Sequence, residues 1–260
     1  MPSHEMNEPA RGAAPSVLWK AFDVLGAFSH RRRVLTLAAI ADHSRLPKST
    51  VHRVLAMLVE VGAVEQVPGG YQLGLRMFSL GALGPEAALR AAALPHLEEL
   101  HRVTAQTLHL AILRGADVVY LEKLLPRGGS LAVPSVIGDR LPATCTGVGK
   151  ALLAFSPDVE VAKAVCGPMR RRTARSLGAP HQVRRELAVI RDRGYAVDRE
   201  ETADGLACVA VPVLAGTAAV AAISVSFPAA AGSGQALVAA LRVTAGAISR
   251  SPALRFASVA

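Results

Sequence analysis

The chain has 260 residues, 51% of them apolar, enough to bury a sizeable core in about two domains. Its formal net charge of +9 admits anionic partners such as DNA, a membrane surface or acidic metabolites. The charge is spread, with 9 basic against 6 acidic residues in 1–84 and 20 against 14 in 85–260, so it singles out no segment. Cys145, Cys166 and Cys208 fit no zinc or redox spacing; free thiols in a reducing cytoplasm are expected, with no metal and no cofactor.

Residues 1–15 mix Pro, Glu, Asn and Gly without an apolar run, which predicts a disordered leader and not a signal peptide. Val17, Leu18, Ala21, Val24, Leu25 and Phe28 recur at helical spacing, with Ser16 as N-cap. The basic run Arg31, Arg32 and Arg33 interrupts the pattern, and Leu35, Leu37, Ile40 and Ala41 then predict a short second helix ending near Asp42-His43-Ser44. Pro47 suits the first turn of a third helix. In that helix Leu46, Val51, Val54, Leu55 and Leu58 form one apolar face. Lys48, Ser49, His52 and Arg53 share the other, with no acid before Glu60. Gly62 ends it, and 63–67 and 71–73 flank the turn Pro68-Gly69-Gly70, which reads as a hairpin.

This order is that of a winged helix-turn-helix, whose last helix enters the major groove. The competing reading is a small helical bundle with a solvated charged face. The hairpin directly after an acid-free polar face favours DNA.

Residues 75–84 predict a linker helix and 85–104 a long helix with Leu89, Ala93, Leu97 and Leu100 along one side. Strands are expected over 107–113, 118–124 and 131–136, and helices over 145–155 and 181–193. The uncharged stretch from Leu206 to Phe227 is long enough for a membrane span, but Pro212 and Gly216 interrupt it. Two buried strands, 207–214 and 218–227, explain it better. The whole is an α+β chain: a winged helix-turn-helix over 16–74, the linker helix, an α/β domain over 85–252 and a tail over 253–260.

Four segments in order resemble the IclR family of bacterial transcription regulators. They are 36–41 with 46–55 and 71–74; Leu141-Pro142 with Gly147-Val148-Gly149-Lys150-Ala151-Leu152-Leu153-Ala154; 193–201 with 205–210; and 222–226. The resemblance spans about 16–250. It departs from the family's pattern at Arg45, where a turn glycine is common, and in the basic run Arg170-Arg171-Arg172. That run reads either as a second phosphate contact or as a solvated surface stretch, the latter favoured. The family's second domain is GAF-like, a sheet covered on one face by helices.

The resemblance implies that Gly147 and Val148 offer backbone N–H groups to a small acid, as a helix N-terminus does. It also implies that Asp198, Cys208, Ser224 and Ser226 supply polar side chains. Ser224 and Ser226 alternate in phase, so both point to one face of their strand. Leu131, Val133, Leu141 and Leu206 are candidate apolar walls. Each has a plainer reading: Cys208 as a small buried hydrophobe, the serines satisfying backbone groups, Asp198 capping a turn, Lys150 in a structural ion pair.

The resemblance further implies a cytoplasmic homodimer or homotetramer on a pseudo-palindromic double-stranded operator, more often repressing than activating. Lys48, Ser49, Thr50, His52 and Arg53 would lie at the grooves, and Arg31, Arg32, Arg33, Gly69 and Gly70 at phosphates. Two rivals remain. The second domain could serve only to oligomerise, or Cys208 could be a nucleophile with a histidine base. No motif recruits His96, His101, His109 or His181 to Cys208, and no hydrolase, nucleotide or metal motif appears.

Overall fold

The computed structural model describes residues 16–126 and 133–255. The chain divides into two compact units, Met1–Leu83 and Gly84–Ala260. The expected leader, Leu131 and the last five residues lie outside the described residues.

In the first unit, α1 (Val17–Leu25) starts where the Ser16 side chain accepts from the Trp19 N–H. The second helix, α2 (Leu37–Ser44), is capped in the same way by Thr36 on Ala39. Leu35 was expected inside this helix. It lies before it instead, exchanging backbone hydrogen bonds with Tyr71 at 2.8 and 2.9 Å. Pro47 is the N-cap of α3 (Lys48–Glu60), one residue ahead of the expected first turn. The wing is β1 (Val64–Val67) and β2 (Gly70–Leu73), paired antiparallel from Val64↔Leu73 to Val67↔Gly70.

Gly70 has φ 147°, and a Cβ there would stand 2.2 Å from the Leu35 carbonyl oxygen. The turn end of the wing, where Gly70 pairs with Val67 and passes Leu35, therefore needs glycine for close backbone approach. A further helix, α4 (Leu75–Gly81), follows. Val24, Ile40, Val51, Val54, Leu55 and Val64 form the buried core. Arg45 ends α2 in the left-handed region, φ 56° and ψ 30°, so the bend keeps its form with a non-glycine residue in a glycine conformation.

The second unit holds α5 (Pro85–Thr104), β3 (Thr107–Arg114), β4 (Asp117–Leu124), β5 (Arg140–Pro142), α6 (Gly147–Ala154), α7 (Asp158–Ala164) and α8 (Pro180–Arg193). The chain continues through β6 (Ala196–Arg199), β7 (Leu206–Ala215), β8 (Ala218–Pro228) and α9 (Val238–Ser249). One antiparallel sheet runs β5-β4-β3-β8-β7-β6. Where a strand over 131–136 was expected, the described residues 133–136 carry none, and the edge strand is β5.

Alternation along the strands sorts the two sheet faces. Leu108, Leu110, Val209, Val211, Ile223 and Val225 pack with Leu97 of α5 and Leu241 of α9. Ala111, Val118, Ala210 and Ala222 pack with Leu152 of α6 and Leu187 of α8. Helices therefore cover both faces, not one, because α9 completes a second layer with α5. Leu254, in the segment expected as tail, is buried in the α5/α9 core. Among the described residues no helix is long and apolar enough to cross a membrane; the uncharged stretch is the β7/β8 hairpin.

Candidate DNA interface and effector site

On α3, Val51, Val54, Leu55 and Leu58 are buried while Lys48, Ser49, His52 and Arg53 are exposed and Thr50 is half-buried. The apolar residues fix the helix by its inner side, so the donors can only face outward. Arg31, Arg32 and Arg33 are exposed at a tight turn closed by the Ser29–Arg32 backbone pair. Gly69 is exposed at the wing tip, whereas Gly70 is turned in against Leu35.

The second unit's cavity lies on the α6 side of the sheet. Register builds it: Asp198 pairs with Cys208 and Cys208 with Ser226, while Ser224 pairs with His109. These residues share the in-phase positions that also carry Ala210 and Ala222, so one face of the sheet ends in a polar patch. A bulge at Leu110/Ala111 brings Tyr120 and Lys123 to that same face, opposite Ala111 and His109. The expected helix over 145–155 is broken at Thr146, whose hydroxyl caps the Gly149 N–H at 3.1 Å. The first turn of α6 therefore opens at Gly147, over the patch. A Cβ on Gly147 would stand 2.4 Å from Cys208 Sγ, so only glycine lets the helix approach this closely.

Val133, Leu141, Gly147, Val148, Asp198, Leu206, Cys208, Ser224 and Ser226 all line this cavity. Sequence reasoning missed His109, Tyr120, Pro134, Ser135, Thr146 and Thr202, which line it too. His109 was findable, since it lies in phase with Thr107 and Ala111 on a strand opposite Ser224. Ser135 was not, because its place depends on an irregular segment.

Asp198 is fully engaged. Its carboxylate accepts from the Glu201 N–H at 2.7 Å and the Thr202 N–H at 3.4 Å, and the Thr202 hydroxyl lies 2.5 Å from it. Burial pushes its pKa up, and these bonds partly offset that. Lys150, 1% exposed, donates to the Val197 carbonyl at 2.8 Å and pairs with Glu201. The other Glu201 oxygen, Oε2, is buried with no hydrogen-bond partner among the described residues, and burial raises this carboxyl too. Asp198 thus caps a turn and Lys150 makes an ion pair, as the plainer readings had it, while Asp198 still faces the cavity.

Burial pushes the Cys208 thiol well up and the Cys145 thiol up to about 12, so both are held as neutral thiols. The ring nitrogens of His109 lie against Ser135 and Ser224, not Cys208. A thiolate–imidazole pair is therefore not assembled. The basic run lies on the surface, as the favoured reading had it, but each guanidinium also has a partner within the domain. Arg170 pairs with Asp117, Arg171 donates to the Ser176 and Ala174 carbonyls, and Arg172 donates to the Thr202 carbonyl at 3.0 Å.

A winged helix-turn-helix with an acid-free outer helix face, followed by an α/β domain with a polar cavity under a helix N-terminus, defines a DNA-binding transcription regulator. Residues 17–68 match the IclR helix-turn-helix domain and residues 85–250 the bacterial transcriptional regulator IclR C-terminal domain. The chain belongs to the IclR family, whose members are transcription regulators and not enzymes.

The HTH-type transcriptional regulator XynR of Escherichia coli (strain K12) is 35% identical over 202 residues, 75% of this chain and 78% of XynR. The DNA-binding transcriptional repressor YiaJ of the same strain is 34% identical over 216 residues, 79% of this chain and 75% of YiaJ. An IclR homolog from Microbacterium hydrocarbonoxydans, crystallised in complex with 4-hydroxybenzoate, has a TM-score of 0.83 at 28% identity, covering 93% of this chain and 100% of that one. The Thermotoga maritima IclR structure has a TM-score of 0.71 at 28% identity, covering 90% and 97%.

Proposed function

We propose that this regulator is a cytoplasmic repressor whose operator affinity is set by a small acidic or aromatic effector bound in the cavity under α6. The observation that carries this is the convergence of Asp198, Cys208, Ser224 and Ser226 on the first turn of α6. A buried polar cluster of this kind is costly to build for packing alone. The relative that binds 4-hydroxybenzoate supports the chemical class, and the repressor YiaJ supports the sign of control. The effector acts by its differential affinity for two arrangements of the assembly.

A thermal-shift screen with glyoxylate, pyruvate and aromatic carboxylates tests the reading. A ligand at 100 times its Kd adds about 2.7 kcal/mol. The shift is expected to vanish in Ser224→Ala, and a shift that persists there places the ligand elsewhere.

On the DNA side, Lys48, Ser49, Thr50, His52 and Arg53 read the groove of each half-site, with Arg31, Arg32, Arg33 and the wing tip at Gly69 on phosphates. Gly70 serves the backbone approach of the wing to Leu35. Arg53→Ala is expected to cost about 1–3 kcal/mol with relaxed base preference, measured by operator titration. A uniform loss with a shallower salt slope assigns Arg53 to phosphate instead. We further propose a homodimer or higher homo-oligomer. Leu18 (69%), Phe22 (58%) and Phe78 (73%) leave α1 and α4 with exposed large side chains that a second copy would cover. Sedimentation of the full chain at low salt as a monomer would remove this.

A further inference from the structure

The cavity has a volume of about 20 Å³, room for about one water molecule. Every metabolite is larger, so an effector enters only if part of the lining moves. Most of that lining belongs to strands or to α6, whose displacement would break backbone ladders. Thr146 and Thr202 brace the α6 start and Asp198. What is left is 133–135, an irregular segment with no ladder of its own.

Side chains fasten this wall to the sheet. Ser135 Oγ lies 2.9 Å from His109 Nε2, and Lys123 Nζ donates to the carbonyls of Val133 at 3.0 Å and Ser135 at 2.6 Å. Just beyond, the backbone is tied down. Gly138 N–H donates to the Tyr120 carbonyl at 2.8 Å, and Tyr120 N–H to the Asp139 carbonyl at 3.2 Å. The wall is therefore anchored on its C-terminal side and held over the cavity by side-chain bonds from His109 and Lys123.

We propose that His109 is the residue that reads the effector, and that a hydroxyl or carboxylate oxygen of the effector replaces Ser135 Oγ on His109 Nε2 as 133–135 moves off the cavity. This rests on the reading of the cavity as the effector site.

At His109 the exchange conserves the hydrogen bond, since one oxygen leaves the imidazole and another arrives, so the buried Nε2 is not orphaned. Burial, and the charge of Lys123 next, hold His109 neutral, with Tyr120 edge-on at a ring separation of 5.1 Å and Ser224 Oγ 3.4 Å from Nδ1. A neutral imidazole offers one donor and one acceptor, so it meets a hydroxyl in either sense and a carboxylate through its N–H. Lys123, relieved of two carbonyls, then favours an oxygen anion over an amine at that position.

The test uses the full chain with Ser135→Ala, which removes the competitor, and His109→Leu, which removes the reader. Hydrogen–deuterium exchange of a peptide over 133–139, with no effector added, is expected to rise about two- to tenfold in Ser135→Ala while β7 and β8 stay protected. Calorimetry with benzoate, 4-hydroxybenzoate, glyoxylate and pyruvate then reads binding. At least one of these is expected to bind Ser135→Ala about two- to tenfold more tightly than wild type and His109→Leu at least about tenfold more weakly.

Unchanged exchange over 133–139 overturns the fastening. Weaker binding to Ser135→Ala makes Ser135 a contact and not a competitor, and likewise overturns the proposal. Binding that is equal in all three proteins defeats the role of His109 and leaves the effector site standing. No binding to wild type or to Ser135→Ala, with exchange raised, defeats the effector reading itself and the proposal with it.

Discussion

His109 makes a pH dependence that can be isolated. It is wholly buried, and its pKa falls from the ordinary 6.5 to about 3, because burial and then the charge of Lys123 disfavour the imidazolium. Below pH 6.5 the unfolded chain takes up a proton at His109 that the folded chain refuses. The stability this group contributes is thus complete above pH 6.5 and is lost as pH falls towards about 3. At pH 5 the gap is about 1.5 pH units, or about 2 kcal/mol.

Asp198 and Glu201 run the other way. Burial raises both, so their contribution is complete below the ordinary carboxylate range and declines as pH rises through their folded values. The difference between wild type and His109→Gln removes these shared parts. Urea unfolding at pH 7.5 and pH 5 is followed by far-UV circular dichroism, with fluorescence of the single tryptophan, Trp19, marking the first unit separately. Wild type is expected to lose about 2 kcal/mol more than His109→Gln between these pH values. Parallel losses in the two proteins would refute the buried neutral imidazole.

Arg45→Gly is expected to raise the stability of the first unit by roughly 0.5–1 kcal/mol, since relief at φ 56° exceeds the added chain entropy. The Trp19 transition checks it, and an unchanged or lowered midpoint counts against strain at the bend. Lys150→Met strands the Glu201 carboxylate in the core and is expected to cost about 3–5 kcal/mol, most of it recovered by adding Glu201→Gln. A double variant no more stable than the single one shows that the pair is not the source of the loss. Gly147→Ala drives a methyl against Cys208 Sγ and is expected to cost about 1–3 kcal/mol and to abolish ligand-induced thermal shifts. Adding Cys208→Ala restores part of the stability if that contact is the cause.

Much of the first unit was legible in the sequence because its signals are local. The helices carry period-3.6 apolar residues, with Ser16 as the cap of the first, and the wing has its turn residues at the tip; the Thr36 cap, which sets the start of α2 after Leu35, was not read. The β7/β8 hairpin was legible from Pro212, Gly216 and the absence of charge. The missed elements lack such signals. The helix α7 is seven residues long, α9 is rich in small residues without a polar face, and β5 has three residues whose pairing is set wholly by β4. The nine described lining residues named in advance lie on regular elements or flank them, where phase and family resemblance could reach them.

The sequence alone determined which side chains are polar at in-phase positions, where the Ser16-capped first helix begins, and that one helix carries an outward face of donors without acids. Those are properties of neighbours in the chain, fixed by backbone period and capping. The tertiary structure decided the rest. Strand register set Asp198, Cys208 and Ser226 in one row and His109 beside Ser224, and a bulge turned Lys123 to the same face. Packing buried Lys150 against Glu201 and brought Ser135 across 26 residues to His109. Such contacts depend on which strands lie side by side, and no local pattern encodes the order β5-β4-β3-β8-β7-β6.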